Sequence, residues 1–448
     1  MTKQSLDTQL RNSDLSRRDV VFGAALSLVA LPASFNPLQD AIAKEDDSLT
    51  EPGKYTPRLS RQRALLETRL TKIVERFVQT DPCISGTLVY VDTPVLGDPV
   101  TAAAGFSNPA AGVPLQAIDQ FCCASICKMY TTACVMRLVE KGSLKLDDRI
   151  AQYLPAQLLQ GLAVYKGTDY SSKITIRQCL GHTSGLWDYY NDGKKNDKGY
   201  TPLDLLFLRD PGRFWTPIDV IEWGKRNLEA VASPGTLPHY SDTNYLLVGL
   251  VMESVTNKPF YSLMRELVLE PLKMEGTYAQ YREEKRQPPG VELLHWFDSR
   301  ICRDQDDPQL GVDLSQENWE SSDYGGGGWL TTAGDLVKFL RGASGNTLFK
   351  DPNSWQQMQA WSDDSWIAAS SDHACKYGLG LNCLPLPGGG ALVGHTGYYG
   401  SFAFLWPERD VAMVGTFNQG TPCGPAGDTS LWHLLRKVHS AVAEAFVP

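Results

Sequence analysis

The order of amphipathic segments along the chain predicts an α+β fold, in which helices from both chain ends flank one antiparallel sheet. A helical stripe at residues 60–79 and two strands within 84–106 come first. Helices and loops fill the middle, and strands followed by a helix return at the end. The simplest packing shares one sheet between both ends, and the middle then forms a mostly helical lobe at roughly 136–324. A cleft between the lobes is the expected place for a site.

Three helices have clear sequence signals. The apolar residues of the first helix, within 60–79, recur on one stripe, as in an amphipathic helix. The segment from Ser125 to Lys141 contains no glycine or proline, and Gly142 follows as a stop. Thr216 and Pro217 predict a further helix, with threonine as its cap and proline in its first position.

The last part of the chain predicts an antiparallel meander and a closing helix. Its apolar or alternating runs are short and are separated by glycine and proline. The predicted strands are Tyr377–Cys383, Ala391–His395, Gly400–Trp406 and Val411–Phe417. A stripe of leucine and valine over residues 428–446 predicts the helix.

The beginning of the chain has the order of an export signal. Arg17 and Arg18 precede an apolar run from Val20 to Leu31, and Ala41 and Ala43 are spaced as in a cleavage site. This order is typical of a signal peptide, and the paired arginines favour the twin-arginine route. The run is too short to span ~30 Å of hydrocarbon, which disfavours a membrane anchor. The predicted segments are a signal at 1–43, a linker at 44–58 and an exported, periplasmic or secreted domain at 59–448.

Composition excludes several classes of partner. The 448 residues have a formal net charge of −9 without long runs of like charge, and a nucleic acid would require a basic surface. The sequence has no C-x-x-C pair, no H-E-x-x-H motif and no histidine cluster, so it predicts neither a metal nor a cofactor. No stable membrane span is expected. The expected partner is a small-molecule or peptide substrate, whereas disulfide pairing and oligomeric state stay open.

Ser125 and Lys128 are the first candidate catalytic pair. They are three residues apart in the predicted helix and therefore share a face. A serine hydroxyl needs a base beside it, and lysine serves only when its pKa is lowered. The apolar neighbours of the pair predict that burial lowers the pKa of Lys128. Alone, this spacing also occurs by chance on solvated helices.

Two later segments add candidates. The phenol of Tyr240, in Tyr240-Ser241-Asp242, could relay a proton, although alone it would favour a packed loop tyrosine. Gly397, in His395-Thr396-Gly397 on a predicted strand, would let a substrate backbone approach closely, or would be a turn glycine beside a surface histidine.

Together and in this order, the three segments resemble the motif set of the penicillin-recognising serine hydrolases, on the class C β-lactamase side. That family also includes D-alanyl-D-alanine carboxypeptidases, esterases and D-amino-acid peptidases. The supporting segments are Leu180–Leu186, Phe214–Pro217 and Gly327–Asp335. The resemblance runs from about residue 60 to the end of the chain and implies a β-lactamase-like fold.

The resemblance also implies roles for single residues. Ser125 would be the acylated nucleophile, Lys128 its base partner and Tyr240 the proton shuttle to the leaving group. The backbone N–H groups of Ser125 and Tyr398 would form the oxyanion hole. The implied substrate-binding residues are Asp242, His395, Thr396 and Gly397, of which His395 and Thr396 would face a substrate carboxylate.

Two departures from the family pattern bear on the substrate. Asp242 stands where many members have asparagine, and an ionised aspartate cannot donate to a substrate carbonyl. His395 stands where many members have lysine, and a neutral imidazole attracts a carboxylate less. Both departures favour esters and short peptides over β-lactams.

The sequence therefore predicts a serine hydrolase that acts through an acyl-enzyme on an ester, a short peptide or a D-amino-acid-containing substrate. The alternatives are a β-lactamase or D-alanyl-D-alanine carboxypeptidase acting on cell-wall peptides, and a slowly deacylating penicillin-binding sensor. An α/β-hydrolase is disfavoured because no G-x-S-x-G pentapeptide occurs.

Overall fold

A long amphipathic helix opens the folded part of the chain. It begins at Pro57, three residues before the predicted stripe, because proline is well suited to the first helical turn. It buries Leu66, Leu70, Val74 and Phe77, which recur every three or four residues. The computed structural model describes residues 57–81, 84–109, 111–197, 200–210, 212–284, 318–362, 366–367, 374–417, 419 and 430–446. The predicted signal and nearly all of the predicted linker lie outside these residues.

Eleven α-helices lie in the described ranges. They are α1 (Pro57–Thr80), α2 (Cys127–Glu140), α3 (Ala156–Leu159), α4 (Ile176–Leu180), α5 (Pro202–Arg209), α6 (Pro217–Asn227), α7 (Thr243–Thr256), α8 (Phe260–Met264), α9 (Ala333–Ser344), α10 (Asn353–Met358) and α11 (Leu431–Phe446). A π-helical turn at Arg265–Leu269 extends α8. The predicted cap of α6 is confirmed, because the Thr216 side chain accepts from the backbone N–H of Asp219. No helix in the described ranges combines the length and apolar character needed to cross a bilayer.

The main sheet joins the two ends of the chain. Its nine strands are antiparallel neighbours in the order β3-β2-β1-β14-β13-β12-β11-β10-β9. Strands β1 and β14 pair from Thr87 opposite Phe417 to Asp92 opposite Ala412. The strands are β1 (Gly86–Asp92), β2 (Val100–Asn108), β3 (Val113–Pro114), β9 (Trp366–Ile367), β10 (Ala374–Tyr377), β11 (Asn382–Pro385), β12 (Ala391–Gly397), β13 (Ser401–Trp406) and β14 (Val411–Phe417).

The central strands of this sheet divide their side chains between two cores. Phe402 and Phe404 pack with α1 and α11 on one face, whereas Ala403 and Leu405 belong to the larger core on the other. This alternation follows from the two-residue period of a strand. Helix α9 packs on the face opposite to α1, so the sheet has helices on both sides.

The middle of the chain is mostly helical and supplies the second part of the larger core. Between α2 and α9 the described residues contain helices α3 to α8 and only short strands. Those strands are β5 (Val164–Tyr165), β6 (Thr168–Asp169), β7 (Tyr278–Ala279) and β8 (Trp329–Thr331). A further short strand, β4 (Phe121–Cys122), precedes α2 and forms a small sheet with β8 and β7. The predicted α+β architecture is confirmed.

Two local predictions were wrong in detail. The segment Tyr377–Cys383 is a hairpin between β10 and β11 rather than one strand, because Gly380, with φ of 67°, turns the chain. The predicted helix at Ser125 begins instead as a 3₁₀ turn at Ala124–Ile126, and α2 starts at Cys127.

Candidate active site

The strained turn before α2 presents Ser125. Ala124 has a φ of 44°, in the left-handed region that costs a non-glycine residue on the order of 1–3 kcal/mol. The neighbouring Cys123 is held on both sides, since its N–H donates to the Trp329 carbonyl at 2.9 Å and its carbonyl accepts from Ile126 at 3.1 Å. Strain that the surrounding structure maintains in this way is typical of a functional site.

Lys128 lies one turn after Ser125 and is fully buried. Its Nζ donates to Ser125 Oγ at 2.9 Å and to the Gly326 carbonyl at 3.0 Å. It also forms an ion pair with Asp242, which immediately precedes α7. A lysine nitrogen with three oxygen acceptors is in the ammonium form, because only that form has three hydrogens to donate.

The expectation that Lys128 has a lowered pKa is therefore wrong. Burial does favour the neutral amine, but the charge of Asp242 and its hydrogen bond, with a further contribution from Tyr240, outweigh burial and raise the pKa. The physical reason is that a buried ion pair stabilises the ammonium more than desolvation destabilises it here. Sequence spacing identified the apolar neighbours of Lys128 and missed its counterion.

Tyr240 is the third side chain of this group and contacts both Ser125 and Lys128. Its hydroxyl forms hydrogen bonds with both Ser125 and Lys128, and Lys128 Nζ lies 5.0 Å from the centre of its ring. Burial raises the pKa of Tyr240 well above its usual range, although the ammonium of Lys128 opposes this effect. The phenol is therefore neutral at physiological pH, so it can accept one proton only while it donates another.

Behind Tyr240 three side chains form a hydrogen-bonded series, here called the imidazole chain: His182, Tyr377 and His395. Tyr377 Oη lies 3.2 Å from His182 Nε2 and 3.0 Å from His395 Nε2. The Nδ1 of His182 accepts from the backbone N–H of Ser241 at 3.0 Å, so its proton is on Nε2 and donates to Tyr377. The Nδ1 of His395 donates to the Thr396 carbonyl at 2.6 Å, which leaves Nε2 to accept from Tyr377.

The imidazole chain carries no charge and supports the Tyr240 ring. Burial and repulsion from Lys128 lower the pKa of His395 to about 3, and burial also places the pKa of His182 well below its usual value. The His182 ring stacks on the Tyr240 ring with 4.3 Å between centres. His395 is only 2% exposed and uses both ring nitrogens, so it brings no positive charge to the cleft. Its contact with a substrate carboxylate stays a prediction.

The end of β12 lies beside the serine turn. Gly397 pairs with Ser401, whose Oγ donates to the Cys123 carbonyl at 3.3 Å. A Cβ at Gly397 would collide with that carbonyl, so a small residue is required for this approach. Tyr398 follows directly, with half of its side chain exposed. The backbone of Tyr398 is thus next to the turn that carries Ser125, as the predicted oxyanion hole requires.

Lys128 lies among three buried carboxylates, here called the carboxylate cluster: Asp188, Asp242 and Asp323. Asp188 accepts from the backbone N–H of Asp242 at 3.3 Å, and Asp323 accepts from the hydroxyl of Tyr189 at 3.0 Å. Burial and the charge of Asp242 raise the pKa of Asp188 to about 7 and that of Asp323 to about 6. One ammonium does not compensate three ionised carboxylates, and the charge of the cluster therefore changes with pH near 6 to 7.

Other residues around the site are buried. Trp187, Tyr189 and Tyr399 belong to the larger core. Cys127 and Cys134, on α2, are buried free thiols. In the described ranges no His, Cys, Asp or Glu side chains are grouped so that they could hold a metal ion.

Sequence reasoning missed Tyr377, Asp188, Asp323 and the Gly326 carbonyl. Asp188 lies between Trp187 and Tyr189 in the sequence. Its signal is an acidic residue within an apolar and aromatic stretch, which is uncommon unless the carboxylate has a partner. A backbone carbonyl such as that of Gly326 has no sequence signal at all.

Comparison with known proteins identifies the family of the chain. The β-lactamase family model matches residues 89–435. Penicillin-binding protein 4 of Amycolatopsis lactamdurans is 27% identical over 258 residues, which are 56% of this chain and 57% of that protein. A putative D-alanyl-D-alanine carboxypeptidase of Escherichia coli O157:H7 is 25% identical over 68% of this chain and 70% of that protein. The chain thus matches little more than half the length of the first of these relatives.

A solved structure shows the same fold. The D-amino acid amidase of Ochrobactrum anthropi SV3, in complex with D-phenylalanine, superposes with a TM-score of 0.68 at 19% identity over 85% of this chain and 99% of that one. At this identity the likeness concerns the fold alone. Because the family model spans most of the folded residues, including Ser125, Lys128, Tyr240 and His395, the chain belongs to the β-lactamase family of serine hydrolases.

Proposed function

We propose that this chain hydrolyses carboxylic esters and amides through an acyl-enzyme formed on Ser125. The observation that carries the proposal is the 2.9 Å hydrogen bond between Lys128 Nζ and Ser125 Oγ, which Tyr240 shares. Serine, lysine and tyrosine in mutual contact supply a nucleophile and the groups that move its proton.

Tyr240 carries the proton in both half-reactions. Ser125 Oγ attacks the substrate carbonyl carbon, and its proton passes to Tyr240 Oη while Tyr240 gives its own proton to the leaving oxygen or nitrogen. The bond to the leaving group then breaks and the acyl group stays on Ser125. In the second half-reaction water attacks the acyl carbon and gives a proton to Tyr240, the ester bond to Ser125 breaks as Ser125 Oγ takes a proton from Tyr240, and the carboxylic acid leaves. Because Tyr240 accepts and donates together, the reaction does not require a phenolate.

Lys128 acts as a fixed cation in this scheme. Its ammonium donates to Ser125 Oγ and stabilises the negative charge that develops as the serine proton leaves. This role replaces the general base that the sequence suggested, and it fits the ion pair with Asp242. The N–H groups of Ser125 and Tyr398 would hold the carbonyl oxygen of the tetrahedral intermediate.

The proposed substrates are small esters and the amides or short peptides of D-amino acids. The names of the similar amidase and carboxypeptidase support this class. The neutral His395 supports a low rate on β-lactams, whose carboxylate would find no positive charge at that position. Asp242 accepts from Lys128 in an ion pair and, when ionised, has no hydrogen to offer a substrate carbonyl, which also supports a low rate on β-lactams.

D-alanyl-D-alanine carboxypeptidase activity is the second candidate. It is favoured by the relative of that name, which the chain matches over most of its length. Both candidates use the same acyl-enzyme, and they differ in whether the leaving group is ammonia, an alcohol or D-alanine.

A substrate panel separates these candidates. The panel consists of p-nitrophenyl esters, D- and L-amino acid amides, a D-Ala-D-Ala peptide and a chromogenic cephalosporin, each compared by kcat/KM. We expect turnover of esters and D-amides to exceed that of the cephalosporin. Faster hydrolysis of the cephalosporin than of any ester would contradict the proposed class, whereas acylation without turnover on every substrate would identify a sensor.

Ser125→Ala is the matched control for the panel. It should abolish turnover and prevent a fluorophosphonate adduct, which intact-protein mass spectrometry detects in the wild type. An adduct of the same yield in the variant would move the nucleophile to another serine.

We also propose export by the twin-arginine route, supported by Arg17 and Arg18 before the apolar run. Replacing both arginines with lysine should leave the precursor inside the cell, whereas the wild type should be processed near Lys44. Equal export of both proteins, measured by cell fractionation, would refute the proposed route.

A further inference from the structure

A small cavity lies on the far side of the glycine-rich loop that holds Lys128. The cavity is small and partly open to solvent. Arg282 and Ser321 line it together with Gly327 and Gly328. None of these side chains takes part in the proposed reaction.

Arg282 lies in this cavity with a nitrogen that has no partner. Its Nη2 donates to the Ser321 carbonyl at 2.8 Å, whereas the buried Nη1 has no hydrogen-bond acceptor. The guanidinium lies over two rings, 4.8 Å from the centre of Phe214 and 5.0 Å from that of Tyr324. No ion pair with a carboxylate is found for it in the described ranges, although the other half-buried arginines of this lobe, such as Arg265 with Glu283, have one.

The partial burial of Arg282 is costly because no carboxylate contacts it in the described ranges. Burial is the first cause that lowers the pKa of its guanidinium, and the charge of Glu253 opposes this effect without forming an ion pair. A half-buried cation that lacks a contacting anion is incompletely compensated, so its environment either admits water or binds an anion.

Ser321 supplies a second donor to the same cavity. The residue is only 2% exposed, and its Oγ accepts from the backbone N–H of Trp215 at 2.7 Å. This bond uses a lone pair of the oxygen and leaves the hydroxyl hydrogen free to donate. No acceptor for that hydrogen is found among the described residues. Two unrelated side chains thus present hydrogen-bond donors to one space.

We propose that this cavity binds a small monovalent anion, such as chloride or a carboxylate group, between Arg282 Nη1 and the Ser321 hydroxyl. A water molecule could accept both bonds, but it would leave the guanidinium without an anion in contact. An anion satisfies both donors and also neutralises the cation. The limited space favours an ion of chloride's size or a single carboxylate over sulfate or phosphate.

The bound anion would stabilise the loop that positions the catalytic lysine. Gly327 and Gly328 line the cavity, and the adjacent Gly326 accepts from Lys128 at 3.0 Å. On the same loop, the Gly325 carbonyl accepts from Thr131 Oγ1 at 2.7 Å, which ties the loop to α2.

Thermal unfolding of the folded chain tests the proposal without reference to substrate. Sodium chloride, bromide or formate is titrated against sodium gluconate at constant ionic strength, because gluconate is too large for the cavity. We expect a saturable rise in Tm of about 2–4 °C with the small anions. A response to formate alone would assign the site to carboxylate groups. A response to chloride and bromide would assign it to halide ions. No saturable response to any of them would overturn the proposal, with an ordered water as the occupant.

Two variants and a crystal identify the site. Ser321→Ala removes one donor without changing charge and should weaken the anion response about tenfold in midpoint concentration. Arg282→Gln should abolish it, while Arg226→Gln, at an arginine whose side chain is 67% exposed, should leave it unchanged. If Arg282→Gln does not fold, the anomalous signal of bromide in wild-type crystals decides. A peak beside Arg282 Nη1 supports the site, and peaks only at the surface refute it.

Discussion

The carboxylate cluster and the imidazole chain bury polar groups to a similar extent but balance their charge in opposite ways. Around Lys128, three carboxylates compete for one ammonium, so the net charge of the cluster depends on the protons that it binds. Behind Tyr240, each group of the imidazole chain donates to the next, and none of them needs a charge. The first arrangement is sensitive to pH, whereas the second is insensitive over the physiological range.

The difference shows how one cleft supplies two unlike catalytic groups. Lys128 has to remain a cation while Ser125 loses its proton, and the carboxylate cluster ensures that it does. Tyr240 has to remain a neutral phenol, and the neutral imidazole chain stacks against it without adding charge. Exchanging the two surroundings would give a neutral amine at Lys128 and a phenol with a changed pKa at Tyr240. A neutral amine at Lys128 is what the sequence predicted.

Removal of Lys128 should have the largest effect. Lys128→Met leaves Asp242 buried without its partner, which typically costs about 3–5 kcal/mol in the free energy of unfolding. It also removes the cation beside Ser125, so kcat/KM for an ester should fall by at least about 10³-fold. Urea unfolding and ester hydrolysis measure the two effects separately.

A double variant distinguishes stability from catalysis. Lys128→Met with Asp242→Leu removes both buried charges and should recover most of the lost stability, because a well-packed apolar pair can replace a buried ion pair. Activity should stay lost. If the double variant is as unstable as Lys128→Met alone, the ion pair is not the source of the instability.

Removal of one hydroxyl from the imidazole chain should have a smaller effect. Tyr377→Phe keeps the ring but leaves two buried imidazole nitrogens without a partner, so the free energy of unfolding should fall by about 1–3 kcal/mol. Because His182 then loses its orientation against Tyr240, kcat should fall roughly tenfold with little change in KM. Steady-state kinetics with a small ester measure this split.

Tyr153→Phe is the matched control, because it deletes a tyrosine hydrogen bond to Asp148 far from Ser125 in the chain. It should lower stability slightly and leave kcat unchanged. Equal kcat values in the wild type and Tyr377→Phe would limit the imidazole chain to a structural role.

The fold could be predicted because its signals are periodic and local. The stripe of Leu66, Leu70, Val74 and Phe77 defines a helix face without reference to the rest of the chain. The strand error at Tyr377–Cys383 arose because apolar residues alternate with two glycines, and the turn conformation of Gly380 is invisible in a hydropathy pattern.

The site was predictable only where its residues are close in sequence. Three residues separate Ser125 from Lys128, and helical geometry then requires their contact. Asp242 is 114 residues from Lys128, and Gly326 is 198 residues away. Packing of separate segments decides these contacts, so the sequence alone indicated burial of Lys128 without its compensation, and the expected pKa had the wrong direction.

The last expected effect is a change of stability with pH, which depends on the proton count of the carboxylate cluster. In the unfolded chain Asp188 has a pKa of about 3.9, and in the fold its pKa is raised to about 7. Between these values the folded protein binds more protons than the unfolded one, so the contribution of Asp188 to stability is present below about pH 4 and is lost as pH rises towards 7. The steepest slope is about 1.4 kcal/mol per pH unit for one group.

Asp188→Asn should remove this dependence, because the amide stays neutral and its oxygen can still accept from the backbone N–H of Asp242. Unfolding in urea is measured from pH 4.5 to 8. The free energy of unfolding of the variant should rise relative to that of the wild type as pH rises, and the difference should be constant above about pH 7. His395 acts in the opposite sense, since its neutral form stabilises the fold above about pH 6.5, but it is common to both proteins and cancels in the difference. Asp197→Asn, at an exposed carboxylate, controls for the loss of one surface charge. A difference between Asp188→Asn and wild type that does not change across this range would mean that Asp188 is ionised throughout and that the surroundings of Lys128 carry their full negative charge.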